Sequence, residues 1–139
     1  MRSVYFVLLT VLLPVVACRA QNEDQSEAAI ASKMTELAGD TAIRCGLVRG
    51  KQNFDVAWAC ARQADAEQKP FWLALRLMRT DSDVWEGIAR DGRGIRYTFF
   101  YTSNKNGQSK FEPNFDVHKC TKPFAFDPNK LFVIGCLPI

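Results

Sequence analysis

Pro70 divides this chain into two halves that follow different periodicities. Before it, apolar residues recur at helical spacing: Ile30, Met34 and Leu37 fall at i, i+4 and i+7 with Ala31 and Ala38 beside them, and Phe54, Ala57, Ala61 and Ala64 form a second stripe. After it the period drops to two, in runs over 71–78, 84–89, 95–102, 115–120 and 131–137. The turns between these runs carry Asp81-Ser82-Asp83, Asp91-Gly92-Arg93-Gly94 and Asn104-Lys105-Asn106-Gly107, residues that reverse a chain by side-chain capping or by positive φ. Helices followed by hairpin-linked strands predict an α+β fold, with two helices packed on one antiparallel sheet of about five to six strands.

Local signals refine the first half. Asp24 with Glu27 three residues later reads as a capping box opening the first helix, and Gly39 stops it. The segment Ile43-Arg44-Cys45-Gly46-Leu47-Val48 predicts a short strand closed by Arg49-Gly50-Lys51. Asn53 or Asp55 then caps a second helix running to about residue 67, ended by Pro70. Its alanine stripe lets it lie close to a sheet, which would bring Cys60 within reach of Cys45.

The first residues have a different character. Val4 to Ala17 is apolar apart from Thr10, and Arg2 is the one charge ahead of it. A membrane-spanning helix needs about 20 apolar residues, so this run is too short and matches the core of an export signal. Cleavage can be written before Cys18 or after Ala20. The stretch Val15-Val16-Ala17-Cys18 resembles the bacterial lipobox, which implies lipidation of Cys18 and a membrane attachment. On that reading residues 1–17 are a signal peptide, 18–25 a lipidated N-terminus and polar tether, and 26–139 a single domain. The alternative cleavage discards Cys18 and predicts a secreted protein.

The five cysteines are Cys18, Cys45, Cys60, Cys120 and Cys136. An odd count in an exported chain leaves one over, which lipidation of Cys18 would absorb. The other four are separated by 15, 60 and 16 residues and include no Cys-x-x-Cys, so neither zinc nor dithiol redox chemistry is indicated. Disulfides Cys45–Cys60 and Cys120–Cys136 are expected, each closing a loop worth about 3 kcal/mol. No Asn-x-Ser/Thr occurs, which favours a bacterial periplasm over a glycosylating pathway. By analogy with lipoprotein sorting, Arg19 after the cysteine points to the periplasmic side of the outer membrane.

The chain carries 18 Lys and Arg against 15 Asp and Glu, and loss of Arg2 leaves 17 against 15, a difference of +2. That is no nucleic-acid footprint. His118 is the single histidine, and no serine sits in a Gly-x-Ser-x-Gly turn, so no catalytic triad is indicated. A calcium loop starting at Asp81 would need glycine where Glu86 stands and glutamate where Gly92 stands. No metal, cofactor or phosphate loop is indicated. What remains is alternation in the strands: if Phe71, Leu73, Leu75 and Leu77 face the core together with Tyr97, Phe99 and Tyr101, the opposite face presents Trp72, Arg76, Arg96 and Phe100. Trp and Arg dominate protein-binding hot spots, so the expectation is a non-enzymatic envelope module that binds another envelope protein, of inhibitor or immunity type. The alternative is a small secreted enzyme or ligand carrier built from His118, Asp116, Asp81 and Glu86, which a concave pocket holding two of them would favour.

Overall fold

Helix α1 spans Leu13–Ala38 in the computed structural model, which describes residues 13–77, 82–104, 112–121 and 124, with side chains in α1 from Gln25 onward. Gly39 ends it at φ 95°, and the Gly39 amide donates back to the Thr35 carbonyl at 2.8 Å. Its start differs from the sequence expectation. Asp24 and Glu27 lie inside the helix and not at its start, and residues 18–25, expected as a tether, are helical. Residues 15–23 contain no glycine or proline to halt the helix.

Strand β1 (Ile43–Val48) and helix α2 (Phe54–Ala66), joined by a short 3-10 turn, follow. The end of α2 is closed without glycine. Gln68 takes φ 58°, its amide donates to the Asp65 carbonyl at 3.1 Å, and the Lys69 amide reaches the Ala64 carbonyl at 2.9 Å. These paired bonds form a Schellman cap, and Pro70 prevents further helix. The strands β2 (Phe71–Leu77), β3 (Val84–Arg90), β4 (Arg96–Thr102) and β5 (Asn114–Lys119) complete the described elements.

The sheet has the order β1-β2-β3-β4-β5 and is mixed. This corrects the expected antiparallel sheet: β1 runs parallel to β2, with Ile43 opposite Phe71, while β2 through β5 pair antiparallel. The reason is α2 itself. A helix between two strands carries the chain back to its starting end, whereas short hairpins reverse it. The β1–β2 register slips between Arg44 and Gly46, leaving Cys45 as a bulged residue, and Gly46 takes φ 137°. Cys45 bonds to Cys60 of α2 with Cα atoms 5.5 Å apart. Of the two bridges expected this one is seen. The other requires Cys136, which lies outside the described residues, as do Met78, Asp81 and the strand expected over 131–137.

The two helices cover opposite faces. Ile30, Met34 and Ala38 of α1 pack on Trp72, Ala74, Trp85, Ala89, Phe99 and Tyr101. Ala57, Trp58, Ala61 and Ala64 of α2 pack with Phe71, Leu73, Ile88, Val48 and Phe124. Strand β2 is therefore sandwiched, and Phe71, Trp72, Leu73 and Ala74 are all buried. Each large side chain so buried contributes roughly 1.5–3 kcal/mol, which makes β2 the centre of the fold. Gly87 sits between Ala74 and Phe99 in register, and the Phe99 ring occupies the space where a Cβ would stand.

Candidate binding site

Strand register decides which expected site residues share a surface. Trp72 lies opposite Ala89, which lies opposite Tyr97; Arg76 lies opposite Trp85, which lies opposite Tyr101. Trp72 and Arg76 thus belong to the α1 face with Tyr97, Phe99 and Tyr101. Arg96 and Phe100 belong to the α2 face. The surface of Trp72, Arg76, Arg96 and Phe100 expected from the sequence is not assembled, because the phase between β2 and β4 is the reverse of the one assumed. Trp72 is buried beneath α1. The Arg76 Nε donates to the Asp83 Oδ1 at 2.7 Å, and the Arg96 Nε to the Asp65 Oδ1 at 2.9 Å, with the Arg96 guanidinium 5.6 Å over the Phe124 ring.

Phe100 takes part in a different arrangement. Helix α2 packs mainly on β1 and β2 and touches β3 and β4 through Ile88 and the Asp65 ion pairs, so among the described residues most of the same face of β3 to β5 has no helix over it. At the boundary lies a pocket of about 220 Å³, lined by Phe54 and Trp58 of α2 and by Leu73, Leu75, Glu86, Ile88, Thr98, Phe100 and His118 of the sheet. Phe54 and Trp58, one helical turn apart, stack with centroids 5.4 Å apart and form its wall. Two cross-strand rows form its floor. Ile88 and Thr98 lead to His118, and Glu86 and Phe100 lead to Asp116.

Two polar groups stand on β5, and Glu86 on β3. His118 Nε2 is 3.2 Å from Asp116 Oδ2, with both side chains partly exposed. Of the four scattered groups suggested by the sequence, Glu86 and His118 line one pocket, Asp116 adjoins it, and Asp81 falls outside the described residues. Phe54, Trp58 and Thr98 were not foreseen as site residues. The i, i+4 aromatic pair on α2 was the sequence signal for the wall, but only the strand register shows that it overhangs Thr98 and Phe100. Among the described residues no three His, Cys, Asp or Glu side chains cluster to hold a metal ion.

The pocket is mainly apolar and aromatic, with one carboxylate and one imidazole at its edge. Such a lining can desolvate an apolar group and orient it by one or two hydrogen bonds. No family model, curated protein or solved structure matches the chain.

Proposed function

We propose that this chain is an exported, non-enzymatic binding module of a bacterial envelope, attached to the membrane through lipid on Cys18, which receives an apolar side chain of an envelope protein in the α2-face pocket. The observation that carries this reading is the size and lining of the pocket. Ligand sites for whole drug-sized molecules are roughly 300–1,000 Å³, and this one is about 220 Å³, room for one aromatic or branched aliphatic group. Hot-spot anchor residues of protein partners fill well-packed, desolvated pockets of this kind. A second reading, a carrier for a small free ligand, is favoured by Glu86 and His118 lying together in the lining.

Support for the anchor is the lipobox resemblance at residues 15–18 together with the odd cysteine. Cleavage there would leave the docked part of α1, from Ser26 onward, intact. We assign Cys120 and Cys136 as a second disulfide. Arg19 after the cysteine supports, by analogy with lipoprotein sorting, a location on the periplasmic side of the outer membrane.

One experiment addresses the pocket. Indole, toluene and isobutane-sized aliphatic probes are titrated into the protein while Trp58 fluorescence is followed, alongside capture of envelope proteins. Thr98→Trp, which fills the pocket, should abolish both responses; capture undiminished by Thr98→Trp would rule the pocket out as the working surface. Probe binding without protein capture would favour the carrier. Labelled palmitate incorporation that Cys18→Ala does not abolish would remove the anchor.

A further inference from the structure

Arg90 at the end of β3 and Arg96 at the start of β4 are directly paired across the strands, on the face that α2 covers. Both approach Asp65, near the C-terminal end of α2. Asp65 Oδ1 accepts from Arg96 Nε at 2.9 Å, whereas Arg90 Nε stands 3.6 Å from the same oxygen, too far for a hydrogen bond. The Arg90 side chain is only 9% exposed, and its Nε and Nη1 are buried with no hydrogen-bond partner among the described residues. A buried guanidinium in that condition calls for a missing acceptor, since buried polar groups are otherwise satisfied.

Among the described residues the neighbouring acids do not supply it. Asp91 is engaged by Arg93 at 3.0 Å, and Glu67 by Lys69 at 2.7 Å. Among the described residues two guanidiniums therefore share one carboxylate. A water molecule could accept a hydrogen bond here but would leave the excess positive charge uncompensated in a buried place. An anion answers both needs. The cluster is also reachable, because the Arg96 side chain is 22% exposed while Phe124 covers one side of its guanidinium.

We propose that Arg90 and Arg96, beside Asp65, form a binding site for a small oxyanion, either a phosphate group or a carboxylate. Arginine suits both, since its planar fork offers paired donors to two oxygens at once. The site lies at the opposite end of β3 and β4 from their β3–β4 partners Val84 and Thr102 and is separate from the residues lining the apolar pocket.

The test uses the full chain with its disulfides intact. Sodium phosphate and sodium acetate are titrated separately at constant ionic strength against sodium chloride, following the thermal midpoint and the arginine Nε–H resonances. A saturable rise with movement of the Arg90 Nε resonance is expected; phosphate alone identifies a phosphate site, and acetate alone a carboxylate site. Arg96→Gln should weaken the apparent affinity by about tenfold or more, the cost of one charge-assisted hydrogen bond. A response that fails to saturate, that chloride reproduces, or that Arg96→Gln leaves unchanged overturns the proposal. Arg96, more exposed than Arg90, carries this test even if Arg90→Gln does not fold.

Discussion

The Tyr101 hydroxyl donates to the Ser26 Oγ across 3.0 Å, joining β4 to the inner face of α1 with both residues fully buried. The two ends of this bond are unequal. A serine inside a helix can turn to a backbone carbonyl of the preceding turn, whereas a buried phenol has no such substitute. Ser26→Ala should therefore cost about 1–3 kcal/mol and Tyr101→Phe only about 0.5–1.5 kcal/mol, measured by urea denaturation. Burial pushes the Tyr101 phenol above its ordinary pKa, against the opposing pull of Ser26. Its contribution is thus complete below about pH 10 and declines as pH rises through the folded value.

Gly87→Ala should be the most damaging single-methyl change in the sheet. The new Cβ would meet the Leu73 carbonyl oxygen and the Phe99 ring together, and backbone cannot step aside as a flexible side chain can. A loss of about 3 kcal/mol is expected from thermal or urea unfolding, at the upper end for overpacking. Pairing with Phe99→Leu should recover part of it, because the ring is one of the two obstacles.

At the end of α2 the expected effect has the opposite sign. Gln68 holds a left-handed conformation that glycine adopts without steric cost, and its side chain is exposed. Gln68→Gly should raise stability by about 0.5–1 kcal/mol, the relief of left-handed strain less the added freedom of the unfolded chain. A lowered melting temperature would show that the Gln68 side chain makes a contribution the cap geometry does not require.

The β3–β4 turn makes the fold sensitive to acid. Burial raises the Asp91 carboxyl, but the Ile95 amide at 2.8 Å, the Arg93 amide at 2.9 Å and the Arg93 guanidinium outweigh it, so the group titrates below the usual carboxylate range. A depressed folded value gives stability that is present above the unfolded pKa of about 3.9 and lost as pH falls through the folded one. Unfolding midpoints of wild type and Asp91→Asn should differ most near pH 7 and converge below about pH 4.

How far the sequence carried these features depended on whether each was set locally. Strand β1, the α2 stripe and the Gly39 stop were legible because each depends on residues a few positions apart, and the Cys45–Cys60 bridge because its two cysteines lie 15 residues apart on adjacent elements. The Asp24–Glu27 signal failed because a capping box marks a start only where the preceding residues cannot be helical, and residues 15–23 can. The face assignment failed for a different reason. Alternation shows that Trp72 and Leu73 point oppositely, and likewise Phe99 and Phe100, yet the relation between the two strands passes through β3 and its turns. A one-residue change in that register moves every side chain to the other face. Helices on both faces also remove the hydrophobic-in, polar-out contrast that would have fixed the phase. The pocket and the Arg90–Asp65–Arg96 cluster depend on that same register, so neither could be seen in advance.

The strand order in the described sheet is the order of the strands along the chain. Synthesis proceeds from the N-terminus, so whenever β3, β4 or β5 becomes available, the edge to which it must pair already exists. No strand has to wait for a later one, and none must be inserted between two already joined. The sheet can grow one edge at a time, with only the newest strand unpaired at any moment. An assembly of that kind limits the interval in which an open edge could recruit a second chain.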